Sequence, residues 1–348
     1  MSKFKKLTSL VLITLLFTSL FSGCSNNSTG ITLNFLNQGD YIDEELLEEF
    51  QMETGIKINY ESFSTNEEMY QKLKSGVNQY DIVIPSEYMI QRLISDDMLE
   101  KLDFNNIPNI DNIDSKFKNL PHDPNNQYTA PYMWGTLGIL YNSEMVTDPV
   151  EDWDILWNPK YKGEIFMVDS MRESLGVALQ KLGYSLNSTN DNEIAAAKEE
   201  LIKQKPLVRA YMVDETKERM AAEEGSLSVT WIGEAILAME RNSDLKYVIP
   251  DKSNIWIDAM CVPKGSTHKA EAEQLIDFLL EAEIGKQNAE YIGYPTANKA
   301  AYELLEDDVK NNKSAYPDAS SLNHLEYFSD LRENLKKYDD AWLKVKSK

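Results

Sequence analysis

Ile31-Thr-Leu-Asn-Phe-Leu36, Ile56-Lys-Ile-Asn-Tyr60 and Tyr80-Asp-Ile-Val-Ile84 are three short β-prone runs, and the segments between them carry a helical period. Ile42, Leu46, Leu47 and Phe50 recur at the spacing of one helix face until Gly55 stops the helix. Asn66 to Ser75 reads as a second helix, ended by Gly76. Strands alternating with helices predict a parallel sheet covered on both faces. In such sheets the binding crevice lies beyond the carboxyl ends of the strands. Two loops fall there, Asn37-Gln-Gly-Asp-Tyr41 and Pro85-Ser-Glu-Tyr88.

Further along, Tyr128 to Asn142 is a long β-prone stretch interrupted by Gly135, and Asn254 to Pro263 is another, carrying Trp256 and Asp258. Shorter apolar runs, Ile165 to Val168 and Leu227 to Trp231, lie between them. The 318 residues from Ile31 to Lys348 are too many for one comfortable core. The expectation is two α/β lobes joined by two crossing segments, one at each long stretch, forming a hinge around a cleft.

At the N-terminus, Lys3, Lys5 and Lys6 precede an apolar run from Leu7 to Phe21 that ends in Ser22-Gly23-Cys24. The run is shorter than the roughly 20 residues of a membrane-spanning helix. Small residues followed by Cys mark a lipoprotein signal, in which Cys24 is acylated before cleavage. The expected division is a signal peptide over 1–23 and a polar tether over 24–30. An uncleaved N-terminal anchor is the alternative, and it too leaves the protein on the extracytoplasmic face of the cell membrane.

The formal net charge of −22 becomes −25 once the three signal lysines are removed. Nucleic acid is excluded as a partner on that balance. Acidity favours cations, but many proteins are acidic for solubility alone. With Cys24 assigned to lipid, Cys261 remains as a small buried hydrophobe, leaving no disulfide and no cysteine-based metal site. His122, His268 and His324 share no metal-ligand spacing. No phosphate loop and no nucleophile elbow is present, so no metal, no cofactor, no catalytic residue and no enzyme activity is expected.

The informative pattern is aromatic rings beside carboxylates at loop ends: Asp40 with Tyr41, Glu87 with Tyr88, Trp231 with Glu234, Trp256 with Asp258. An alkylammonium ion needs both. Its nitrogens need acceptors or counter-charges once buried, and a Trp or Tyr face gives its methylenes dispersion plus about 0.5 to 2 kcal/mol of cation–π attraction. Each residue also has a plainer reading: Asp40 as the cap of the Ile42 helix, Glu87 and Glu234 as solvated charges, any one Trp as core.

Five stretches carry a family resemblance: Asn37-Gln-Gly-Asp-Tyr41; Tyr80-Asp-Ile-Val-Ile-Pro-Ser86 with Tyr88; Asp169-Ser-Met-Arg-Glu173 leading to Lys181-Leu-Gly-Tyr-Ser185; Asn254-Ile-Trp-Ile-Asp258; and Tyr291-Ile-Gly-Tyr-Pro-Thr296. Through them the chain resembles the spermidine/putrescine-binding proteins of bacterial polyamine ABC transporters, especially the Gram-positive lipoprotein branch. The resemblance implies a type II periplasmic-binding-protein fold, with 31–134 and 257–303 in one lobe and 135–256 and 304–348 in the other. It implies a monomer that captures a polyamine and passes it to the permease subunits of an ABC transporter, held to the membrane through Cys24.

By the same resemblance Asp258 and Glu173 pair with amino groups, Trp231 and Trp256 sandwich the methylene chain, and Tyr41, Ser86, Tyr88 and Tyr294 complete the walls. Gln38 stands where Trp is common, Gly39 where some members have a hydroxyl, Ser170 where some carry an Asp, and Phe328 where some have Gln. Asp40 is the first candidate to replace the charge missing at Ser170, followed by Glu234 and Glu87. Trp134, Trp153 and Trp157 resemble packing positions, and Arg172 an internal partner. A different amine or polar solute in the same fold is the nearest alternative; an exported hydrolase working through paired carboxylates is the remoter one.

Overall fold

The computed structural model describes residues 30–348; the signal, Cys24 and nearly all of the tether lie outside the described residues. The alternation at the start folds as read. Strand β1 (Thr32–Gln38) lies between β2 (Lys57–Phe63) and β3 (Ile82–Val83), parallel to both. Leu33, Phe35 and Leu36 of β1 are fully buried, so truncating Phe35 to Ala would cost about 3 to 5 kcal/mol. The helix Glu44–Thr54 ends at Gly55, φ +72°, and Asn66–Ser75 ends at Gly76, φ +61°. At both ends the chain turns through the left-handed region that glycine enters without a Cβ clash.

β3 is shorter than the expected Tyr80 to Ile84. Its backbone is shared with a returning segment, since Val83 and Cys261 exchange N–H to carbonyl bonds of 3.0 and 2.9 Å. Cys261 is fully buried there, as its small apolar volume suits.

The second sheet runs β6-β5-β7-β4-β8, with β4 at Ala130–Asn142, β5 at Ile165–Val168, β6 at Val208–Met212, β7 at Leu227–Trp231 and β8 at Leu245–Val248. It is mixed: β5 is parallel to β6 and β7, while β4 is antiparallel to β7 and β8. The helices Met171–Lys181, Asp191–Gln204 and Leu335–Ser347 bury Leu179, Leu201 and Tyr338 in the core of this sheet.

The two long stretches form one antiparallel ribbon. The first half of β4 pairs with β9 (Ile255–Met260), from Ala130 opposite Met260 to Thr136 opposite Ile255. The second half of β4 pairs with β7 and β8, and beyond β9 the chain joins β3. The architecture is therefore α/β and two-lobed, with β4 and β9 as the two crossover segments. Between Lys299–Leu304 and the final helix, Tyr316 stacks on Trp134 and Tyr302, so this segment runs against residues of the first lobe before the last helix reaches the second.

Trp134, Trp153 and Trp157 have the packing environments expected of them. Their indole N–H groups donate to the carbonyls of Thr296, Lys252 and Glu200 at 3.2, 2.7 and 3.0 Å.

Candidate functional site

A cleft of about 720 Å³ opens between the lobes, and every residue expected at a ligand site lines it: Gln38, Asp40, Tyr41, Ser86, Tyr88, Ser170, Glu173, Trp231, Trp256, Asp258 and Tyr294. Strand ends and helix starts put them there. Gln38 closes β1, Ser86 precedes the helix Glu87–Ser95, Ser170 precedes the helix Met171–Lys181, and Trp231 closes β7. Trp256 and Asp258 lie on the same face of β9, two residues apart, as strand alternation requires.

Asp258 is the electrostatic centre. It is 3% exposed, Gln38 Nε2 donates to its Oδ2 at 2.9 Å, and its buried Oδ1 has no hydrogen-bond partner. Burial pushes its pKa up to about 6, against the lowering influence of the nearby Ser86 and Tyr41 hydroxyls and of Gln38. The Tyr41 hydroxyl, too, is buried without a geometrically sound hydrogen bond. A carboxylate held dry with a free lone pair gains most from a cation that brings donors.

Around it the rings interlock edge to face. Tyr41 meets Tyr132 and Tyr294, each with centroids 5.4 Å apart, and Tyr294 meets Trp256 at 5.4 Å. The Tyr132 hydroxyl donates to the Tyr41 carbonyl at 2.8 Å and fixes the loop. Two glycines make room: a Cβ on Gly135 would lie 2.6 Å from the Trp256 ring, and one on Gly233 2.4 Å from the Tyr294 ring. Trp231 is half-buried and packs against two buried hydrophobic clusters, one of them the core of the second sheet. The Trp256 N–H is buried with no partner, another group open to a ligand acceptor or to water.

Glu173 sits in the first turn of its helix, where the helix N-terminus favours a negative charge. Ser170 donates its hydroxyl proton to it. Burial raises the Glu173 pKa, opposed by Ser170, the backbone and Arg172. Ser170 therefore serves an acid instead of being one. Arg172 is internal: it donates to the Ser329 carbonyl at 3.2 Å and to Asn187 at 3.0 Å, and its guanidinium stacks 4.4 Å from the Phe328 ring.

Three expectations about acids change. Asp40 is not a helix cap, because Asp43 accepts from Glu45 N at 3.1 Å and takes that role. Asp40 instead adopts φ +47° and turns its carboxylate to Lys217, 3.3 Å away. Glu234 is not solvated either; it is buried 3.3 Å from the same ammonium. Two of the three candidate replacements for the missing charge thus already hold a cation. Glu87 is buried as well, accepting from Ile257 N at 3.2 Å and Phe328 N at 3.0 Å, and burial pushes its pKa up to about 8. At neutral pH it is mostly protonated and serves the backbone.

Asn66, Glu67 and Lys217 were not singled out from sequence. Asn66 holds Ser86 twice, accepting from its N–H and donating to its Oγ, both at 3.0 Å, and Glu67 accepts from the Tyr88 hydroxyl at 3.2 Å. Thr65 at the start of the helix Asn66–Ser75 was the available signal: its cap turns Asn66 and Glu67 toward the loop after β3.

Among the described residues no group of side chains is arranged to hold a metal ion, and no helix is long and apolar enough to cross a membrane. Two lobes on a two-strand hinge, with a deep cleft lined from both sides, define a solute-binding protein. Residues 45–317 match the model of the bacterial extracellular solute-binding protein family, and the chain belongs to that family. Its relatives include the spermidine/putrescine-binding periplasmic proteins of Salmonella typhimurium, 38% identical over 94% of this chain and 95% of the relative, and of Escherichia coli, 39% identical over 91% and 92%. Among solved structures, the spermidine/putrescine ABC transporter substrate-binding protein of Streptococcus pneumoniae superposes with a TM-score of 0.78 at 44% identity, covering 91% of this chain and 99% of that one.

Proposed function

We propose that this protein captures a protonated polyamine, spermidine or putrescine or both, in the interlobe cleft and delivers it unchanged to the permease of an ABC transporter. One observation carries the reading: Asp258 is buried among Tyr41, Tyr294 and Trp256 with one carboxylate oxygen unpaired. Such an atom needs a cationic donor, and the rings suit the methylenes of its carrier.

In this reading Glu173 and Asp258 bind ammonium groups from opposite lobes. Trp231, Trp256 and Tyr294 wall the methylene chain, and Gln38, Tyr41, Ser86, Tyr88 and Ser170 orient the acids and complete the walls. Asp40 contributes through Lys217. We place the lobe division at 31–134 with 257–303 and 135–256 with 304–348, the segment around Tyr316 running back against the first lobe before the last helix docks on the second. Closure excludes water and strengthens the carboxylate pairing. The protein acts as a monomer tethered through acylated Cys24 on the outer face of the cell membrane.

Uptake of labelled spermidine and putrescine by cells with and without the gene tests delivery. Loss of uptake restored by the wild type supports it; undiminished uptake of both amines in the absence of every other polyamine importer would sink it. Cys24→Ser should release the protein into the medium, and retention on the membrane would refute the lipid anchor.

A further inference from the structure

Asp40, Asp214 and Glu234 all line the cleft. Different acids act on different rings of its wall. Glu173 and Glu67 act on Tyr88, Asp258 acts on Tyr41 and Tyr294, and Glu234 with Asp214 acts on Tyr294. Left alone, that last group would be a third ammonium site. It is not left alone: Lys217, from the short helix Thr216–Ala221, reaches Asp40 Oδ2 and Glu234 Oε2, each at 3.3 Å.

We propose that Lys217 is a tethered ammonium that occupies the third cation position of the cleft and thereby biases the protein toward diammonium over triammonium chains. The inference rests on the polyamine reading above and deepens it. The side chain of Lys217 is 10% exposed and that of Glu234 6%, whereas that of Asp40 is 70% exposed. The Lys217–Glu234 contact is therefore the strong half, and the one to Asp40 is screened by solvent. Burial pulls the Lys217 pKa down, but Glu234 and Asp40 outweigh it and hold it above the usual lysine range, so the ammonium stays charged.

The seat is also incompletely filled. Oε2 of Glu234 is buried and lacks a hydrogen bond of sound geometry even with Lys217 beside it, so it retains acceptor capacity for a better-placed donor. The two lobes already meet here: a Cβ on Gly39 would lie 3.4 Å from Asp214 Oδ2. With Lys217 in place, a third ligand ammonium arriving here meets a like charge. Without it, the same ammonium meets a buried acid that has no counter-ion.

Titration calorimetry on ligand-free protein with putrescine and spermidine tests this, read as the ratio of the two association constants in the wild type and in Lys217→Met. The ratio should move toward spermidine by about tenfold or more, the factor that 1.4 kcal/mol of discrimination gives. An unchanged ratio, or one moving toward putrescine, overturns the proposal. Should Lys217→Met fail to fold, Lys217→Gln, which is neutral yet keeps a hydrogen-bond donor beside the acids, is read by the same criterion. A wild type that binds neither amine would overturn the polyamine reading, and this proposal with it.

Discussion

Gln38 and Asp258 are 220 positions apart in the chain, yet Gln38 Nε2 donates to Asp258 Oδ2 at 2.9 Å and leaves the other carboxylate oxygen without a partner. The amide holds one oxygen of the acid and leaves the other buried without a partner. A group already placed for its ligand lowers the cost of ordering it on binding. Here that group is a half-satisfied carboxylate.

Asp258→Asn keeps the shape and removes the charge, so it should weaken polyamine binding by about 100-fold, near 3 kcal/mol. Asp40→Ala should cost less than about threefold, because its carboxylate is mostly exposed and acts through Lys217. Calorimetry on both variants checks the contrast. Equal losses would mean the ammonium site is misplaced.

Affinity should fall on acidification. Asp258 titrates near 6 in the empty cleft and must be ionised to hold a cation, so below that pH the association constant drops by up to about tenfold per unit for this one group. Calorimetry at pH 5 and pH 7.5 reads it directly, and a flat profile would exclude Asp258 as the counter-ion.

Stability of the empty protein should move the other way. Folding raises the pKa of Asp258 to about 6, of Glu234 to about 7 and of Glu87 to about 8, each above its value in the unfolded chain. The folded state then holds these protons more tightly. Their stabilising contribution is complete below about pH 4 and is lost as the pH rises through 6 to 8. Thermal melts should show the Tm of ligand-free protein falling between pH 5.5 and 8.5, with added polyamine reversing part of the fall.

Glu87→Gln should destabilise by about 1 to 3 kcal/mol, because an amide nitrogen cannot accept the N–H of Ile257 or Phe328. Urea unfolding measures it. A neutral substitution would mean the carboxyl is not what joins β9 to the segment around Phe328.

Gly233→Ala places a methyl 2.4 Å from the Tyr294 ring. That ring must shift and the wall with Trp256 and Tyr41 opens, at about 1 to 3 kcal/mol of stability and a measurable loss of affinity. An unchanged melt and an unchanged titration together would show that the wall tolerates the displacement.

Much of this was legible because it is local. Gly55 and Gly76 ended the helices where the apolar period stopped, and the spacing of Trp256 and Asp258 put both on one face of a strand. What stayed hidden depends on partners distant in sequence. Glu87 looked like a solvated charge beside Tyr88, yet it is dry because two backbone N–H groups, 170 and 241 positions away, need an acceptor. Asp40 looked like a free acid or a helix cap; only the fold brings Lys217, 177 positions on, against it. A helical or strand period carries no record of which surfaces meet across a hinge. The partners of Asp40, Glu234 and Glu87 therefore needed three dimensions, whereas the placing of Glu173 and Asp258 on the cleft did not.

The most direct test of the central claim is titration calorimetry of folded, ligand-free protein with putrescine, spermidine and spermine near neutral pH. Saturable one-to-one binding of putrescine or spermidine, abolished or severely weakened in Asp258→Asn, is the predicted result; no heat with any of the three would contradict it.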